Sequence, residues 1–176
     1  MSDSRLHQCC KWAALDYLLS DIRAPKTMPV ISAQTDADIR DCWQVIAQLR
    51  PHLKKKDFVS TVRQQFREGY RLAFIRRKQK VAAVAGFRVL QSLSWGRFCY
   101  VDDLVTDDRV RSRGLGAELL DWLCEYARSE RCNRLELDSG VQRHAAHRFY
   151  HRQRMFISCH HFSLELNYPS GPITRA

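Results

Sequence analysis

No apolar run in the chain approaches the ~20 residues that a membrane helix needs, so no membrane-spanning role is expected. The first residues hold no apolar stretch ending in a small-residue cleavage site, and no secretory signal is expected. Seven Cys, at positions 9, 10, 42, 99, 124, 132 and 159, form no C-x-x-C pair. An odd, scattered set argues against a disulfide framework and for reduced thiols in a cytoplasmic protein. Cys42, Cys99 and Cys124 lie in apolar patterns and read as small core residues. Internal repeats and low-complexity segments are lacking. No G-x-x-x-x-G-K-[ST] occurs, which excludes a nucleotide-hydrolase P-loop.

What is present fits one globular domain. The 176 residues are 45% hydrophobic and include four Trp, enough for a sizeable core. The net charge of +10 comes from clusters at Lys54–Lys56, Arg76–Lys80, Arg109–Arg113, Arg128–Arg134 and Arg143–Arg154. Such charge attracts polyanions. No nucleic-acid motif accompanies it, so a phosphorylated ligand plus general surface charge is favoured over nucleic acid.

Residues 1–28 read as a helical extension and linker, with Leu6, Cys10, Ala13 and Tyr17 at helical spacing and Pro25 and Pro29 behind them. Val30–Ala33 reads as a strand. Thr35 and Asp38 form a capping-box pattern ahead of a helix whose inner face is Ile39, Cys42, Trp43, Ile46 and Leu49. Pro51 stops it, and a second helix follows from Asp57 to Glu68, with Gly69 as its exit. Tyr70–Arg76 and Lys80–Leu90 read as a hairpin across a tight basic turn, and Phe98–Val105 as the next strand. A helix from Gly114 to Ser129, a strand at Arg134–Asp138, a helix from Gln142 to Arg152 and an alternating strand at Ser158–Leu166 complete the domain. The tail, 168–176, is expected to fray. This order implies a mixed α/β sheet, with the strands before and after the Gly114–Ser129 helix parallel.

One loop stands out. Arg111-Ser112-Arg113-Gly114-Leu115-Gly116-Ala117 joins a strand to a helix. Its glycines allow close backbone approach, and the helix start offers free N–H groups and positive dipole, an anion site suited to a diphosphate. Arg109, Arg111 and Arg113 add mobile positive charge. A dinucleotide fingerprint is partly matched, since Glu136 and Asp138 lie about twenty residues on. Leu119 in place of the third glycine, and the polar stretch Thr106–Arg113 between strand and glycines, count against it.

The loop, together with Val101-Asp102-Asp103-Leu104-Val105-Thr106, Leu135-Glu136-Leu137 and Arg143-His144-Ala145-Ala146-His147-Arg148-Phe149-Tyr150, strongly resembles the GNAT superfamily of N-acetyltransferases. Within it, the Arg143–Tyr150 stretch is most similar to the aminoalkylphosphonate N-acetyltransferase-like branch. The resemblance spans about residues 29–167. It implies a mixed, mostly antiparallel sheet with a central splayed parallel strand pair, flanked by helices. It also implies acetyl-CoA as co-substrate and a primary amine, of a small molecule or a protein, as acceptor. Main-chain groups of Arg111–Ala117 would hold the diphosphate. Leu104, Val105 and Thr106 would meet the pantetheine arm, with an N–H near Val105 polarising the thioester. Tyr150 matches the family's acid, and a phenol is protonated at neutral pH. Asp103, or Glu136 on the adjoining strand, would be the base, directly or through water. Strand alternation sends Asp102 and Asp103 to opposite faces. The plainer reading of both is pairing with arginines. His147 would support the cofactor. His144, His147 and His151 share a helix face, but no carboxylate or cysteine pair stands near them in sequence, so no metal is expected.

Relatives carry glycine before the aromatic of the last hairpin, whereas this chain has Met155-Phe156. A left-handed helix exit is resisted by Met, so a differently shaped helix end is expected. A catalytically silent CoA-binding or nucleic-acid-associated module is the alternative function, and a homodimer is left open.

Overall fold

The computed structural model describes residues 29–166, so the expectations for residues 1–28 and for the tail lie outside the described residues. Strand β1 (Val30–Ser32) leads into α1 (Asp36–Leu49). The capping box forms: Asp38 N–H donates to Thr35 Oγ1 at 3.1 Å, and Thr35 N–H donates to Asp38 Oδ2 at 3.0 Å. Two orphan donors at the helix start are thereby satisfied. Ile39, Cys42, Val45 and Ile46 turn inward from α1. Helix α2 (Phe58–Arg67) buries Phe58 and Val62, and Gly69 leaves it at φ 90°.

Strands β2 (Tyr70–Arg77) and β3 (Lys80–Ser92) follow. Lys78 and Gln79 between them stand at φ 47° and 65°, the double left-handed turn that a two-residue hairpin requires. Next come β4 (Gly96–Thr106), α3 (Leu115–Ser129), β5 (Arg134–Leu137) and α4 (His144–Arg152). The sheet order is β1-β2-β3-β4-β5, antiparallel except for the parallel pair β4–β5. The apolar run of β3 is its middle strand. Phe74, Val84 and Leu72 pack under α1 and α2, and Ala83, Ala85 and Phe87 pack under α3 with Leu119 and Leu123. Among the described residues no helix is long and apolar enough to cross a membrane.

Two features of β4 shape the site. Opposite Gly86 and Phe87 of β3 the register slips, so Asp102 is an extra residue between partners Val101 and Asp103. Such a bulge bends the strand and re-aims its side chains. Pairing with β5 ends at Val101↔Leu137, yet β4 runs on to Thr106. The two strands therefore part over the last residues of β4.

Three expectations need correction. Ser158–Leu166 is not a strand; it is exposed and without regular structure. Alternation says which face a strand would bury, but pairing also needs a neighbouring edge within reach. Cys124 is only half-buried. Helix α4 does exit through a left-handed residue, but that residue is Arg154, at φ 61°, one place before Met155. Arg154 N–H donates to His151 O and Met155 N–H to Tyr150 O, both at 3.0 Å. This is a Schellman exit with arginine where glycine is preferred, and it tucks Met155 against the core under α3.

Candidate active site at the parting strands

The loop after β4 is anchored before it opens. Asp107 is buried and grips Arg109 through two oxygens, with the shortest contact 2.6 Å. These hydrogen bonds hold its carboxyl down at about 2. Gln48 of α1 accepts from Asp108 N–H at 3.0 Å, tying the loop to that helix. Arg111 pairs with Asp108. The expected mobile charge is thus reduced: Arg109 and Arg111 are engaged, and Arg113 forms no ion pair among the described residues.

Gly114 then stands at φ 84° as the N-cap of α3, with open space where a Cβ would project. A left-handed turn here needs glycine. At Gly116 a Cβ would lie 3.5 Å from both Thr106 Oγ1 and the Phe149 ring. The helix start is therefore seated against the end of β4 and against α4. Arg111–Gly114 are exposed, and the first N–H groups of α3 face outward without helical acceptors. Space is open beside Gly114, and the helix dipole favours an anion such as a diphosphate there. A second sign lies beyond β5, where the Ser139 Oγ is buried with no hydrogen-bond partner. A polar ligand entering the gap would satisfy it.

Along β5 runs a groove of about 1040 Å³, lined among others by Tyr100, Glu136, Asp138, Ser139, His147 and Tyr150. The structure thus brings Tyr150, Glu136 and His147 to one opening. Burial pushes the Tyr150 phenol up, so it keeps its proton at neutral pH. Glu136 receives Arg134 Nε at 2.6 Å, and the Arg134 guanidinium lies 5.0 Å from the Trp95 ring centre. Tyr100 donates to Asp138 Oδ2, its phenol raised by burial and then by that carboxylate. His151 Nδ1 lies 3.2 Å from Met155 O at the helix exit.

Asp103 stands elsewhere, beneath α1. Tyr70 Oη donates to its Oδ2 at 2.9 Å, and Arg50 Nε donates to its Oδ1 at 2.8 Å. Asp102 does not take the opposite face. The bulge lets it join the same network: Arg88 Nε donates to it at 3.0 Å while the Arg88 guanidinium lies 5.5 Å from the Tyr70 ring centre. Burial raises the Asp102 carboxyl despite Arg88. Gly86 is what lets Tyr70 reach in, since a Cβ there would sit 1.8 Å from Tyr70 Oη. Sequence reasoning had not singled out Tyr100 or Ser139. The rule that ligands gather at the carboxyl ends of parallel strands points to Ser139, just past the end of β5.

Comparison with known proteins agrees with this geometry. Residues 34–155 match the acetyltransferase (GNAT) family. The N-acetyltransferase YhdJ of Bacillus subtilis (strain 168), itself described as uncharacterized, is 30% identical over 111 residues, covering 62% of this chain and 78% of that protein. Among solved structures, a Trypanosoma brucei acetyltransferase superposes with a TM-score of 0.66 at 20% identity, over 79% of this chain and 99% of that one. Glucosamine-6-phosphate N-acetyltransferase from Arabidopsis thaliana gives a TM-score of 0.64 at 18% identity, over 81% of this chain and 100% of that one. The chain belongs to the GNAT acetyltransferase family.

Proposed function

We propose that the protein moves an acetyl group from acetyl-CoA directly to a primary amine, with no covalent enzyme intermediate. One observation carries this reading: Tyr150 and Glu136 line a single groove that runs along β5 and past its end. Acetyl-CoA supplies an activated thioester and a thiolate leaving group. Main-chain groups of Arg111, Ser112, Arg113, Gly114, Leu115, Gly116 and Ala117 hold the diphosphate. Leu104, Val105 and Thr106, on the reach of β4 that β5 does not pair, meet the pantetheine arm, and a backbone N–H near Val105 polarises the carbonyl oxygen. Ser139 Oγ and His147 complete the cofactor contacts.

Two protons must move. The amine is protonated at neutral pH and attacks only after losing one. Glu136 is the better-supported base, since it faces the groove, whereas both Asp103 oxygens are already bound by Tyr70 and Arg50. The Tyr150 Oη holds the proton that the departing sulfur takes. The Arg143–Tyr150 stretch supports the finer placement near the aminoalkylphosphonate-like branch, and small-molecule and protein amines both remain in its scope.

Thiol release from acetyl-CoA over a broad panel of amines tests the proposal. Turnover with at least one amine is expected, dependent on Tyr150. Saturable CoA binding with no turnover on any amine would favour a silent CoA-binding module instead.

A further inference from the structure

Acetyl transfer to an ammonium leaves a proton over. The nitrogen sheds two protons on its way to an amide, and the departing sulfur takes one. The other must reach solvent in every turnover. Tyr150 gives its proton to the sulfur and has to be recharged from the nitrogen, so it carries nothing away. Glu136 takes the surplus proton and must lose it again before it can serve the next amine.

The groove holds a histidine set up for that task. Tyr100 is the register partner of Glu136 across β4 and β5, so both side chains leave the same face of the sheet. Asp138, two residues beyond Glu136, returns to that face, and Tyr100 Oη donates to its Oδ2. His161 Nδ1 lies 3.1 Å from the same oxygen. All four residues line the groove. Glu136 is held by Arg134, whereas among the described residues no Lys or Arg pairs with Asp138. The His161 side chain is 66% exposed, so its ring rests on a groove carboxylate with most of its surface in water. His151, by contrast, has its Nδ1 at a main-chain oxygen, that of Met155.

We propose, resting on the acetyl-transfer reading, that His161 is the proton exit of the groove and that Asp138 and Tyr100 position it. With Nδ1–H donated to Asp138, the ring presents Nε2 as the free base. The proton that Glu136 took from the ammonium passes through groove water to Nε2. Glu136 is again a carboxylate, and His161 is an imidazolium beside Asp138. Nε2 then releases the proton to solvent, and every group is back in its starting state. Imidazole suits the step because it changes charge near neutral pH, so taking up a proton and giving it away cost about the same. Tyr100 keeps its own proton throughout, since burial and then Asp138 push its phenol up. Its part is to hold the carboxylate that fixes the ring.

The test is steady-state thiol release by the full chain, in dilute buffer and in rising imidazole, with the enzyme-free rate subtracted. His161→Gln is expected to lower kcat at least about tenfold in dilute buffer, with KM for acetyl-CoA and for the amine held. Added imidazole should restore the rate in proportion to its concentration, while wild type stays flat. Asp138→Asn keeps the shape but removes the charge, and it should show a smaller loss with the same rescue. Both side chains are exposed, so both variants are expected to fold with an unchanged thermal midpoint. A His161→Gln enzyme as fast as wild type in dilute buffer, or a loss that imidazole does not restore, overturns the proton exit while acetyl transfer stands. No turnover by wild type on any amine overturns both.

Discussion

Two tyrosine–carboxylate clusters flank β4, and they are built to opposite ends. Beneath α1, Tyr70 and Arg50 take both oxygens of Asp103, and Arg88 takes Asp102. Along β5, Tyr150 faces an open groove beside Glu136, and Ser139 Oγ is buried without a partner. Polar groups whose capacity is used up hold a shape; those with capacity to spare are free to meet a ligand. The first cluster pins the bulge of β4 against β3. The second lines the groove along β5. The residue types are nearly the same, and their surroundings divide the labour.

The same chemical edit should therefore have different consequences on the two sides. Tyr150→Phe is expected to lower turnover about a hundredfold, while acetyl-CoA affinity and thermal midpoint hold. Tyr70→Phe is expected to cost about 2 kcal/mol of stability by leaving a carboxylate oxygen unpaired, with turnover of the folded enzyme changed only a few-fold. Steady-state kinetics and urea titration of both variants would erase the contrast if the effects came out reversed.

Gly86→Ala should act on the structural side alone. Its Cβ would meet Tyr70 Oη at 1.8 Å, so the tyrosine must leave Asp103, at a cost of about 1–3 kcal/mol. Denaturant unfolding measures it, and a neutral result would show that the network yields freely. On the ligand side, Gly114→Val forces a branched residue to φ 84° and is expected to weaken acetyl-CoA binding at least about tenfold by calorimetry. Unchanged affinity would remove that bend from the binding surface.

Asp107 gives a pH handle on the anchor between loop and α1. Its folded carboxyl is held at about 2 against an ordinary 3.8. The stabilisation is therefore complete above the ordinary value and is lost as pH falls through the folded one. Unfolding free energy measured from about pH 5 down to about pH 2 should drop more steeply for wild type than for Asp107→Asn. Parallel curves would mean the ion pair with Arg109 contributes nothing. The smallest effect is expected at the exit of α4. Arg154→Gly relieves a left-handed arginine and should add about 1 kcal/mol of stability, read by urea titration. A loss of stability would argue that Arg154 makes a compensating contact.

Much of this was readable in the chain. The capping box at Thr35 and Asp38, the tight basic hairpin, the middle strand β3 and the parallel pair around α3 all follow from local pattern. Each is a case where neighbouring residues decide the outcome, through a cap, a turn or a period. The fate of Asp102 and Asp103 was not readable, because alternation assumes an unbroken register and a bulge opposite Gly86 breaks it. The Ser158–Leu166 segment failed for a related reason. Its period is that of a strand, but a strand also needs an edge supplied from elsewhere.

By itself the sequence determined most of the elements, the glycine bend at Gly114 and the family, since these rest on spacing over a few residues and on short motifs in a set order. Only the tertiary structure decided which carboxylate lines the groove. That outcome depends on Arg50 and Tyr70, which lie 53 and 33 residues from Asp103 along the chain and meet it only when the sheet folds under α1.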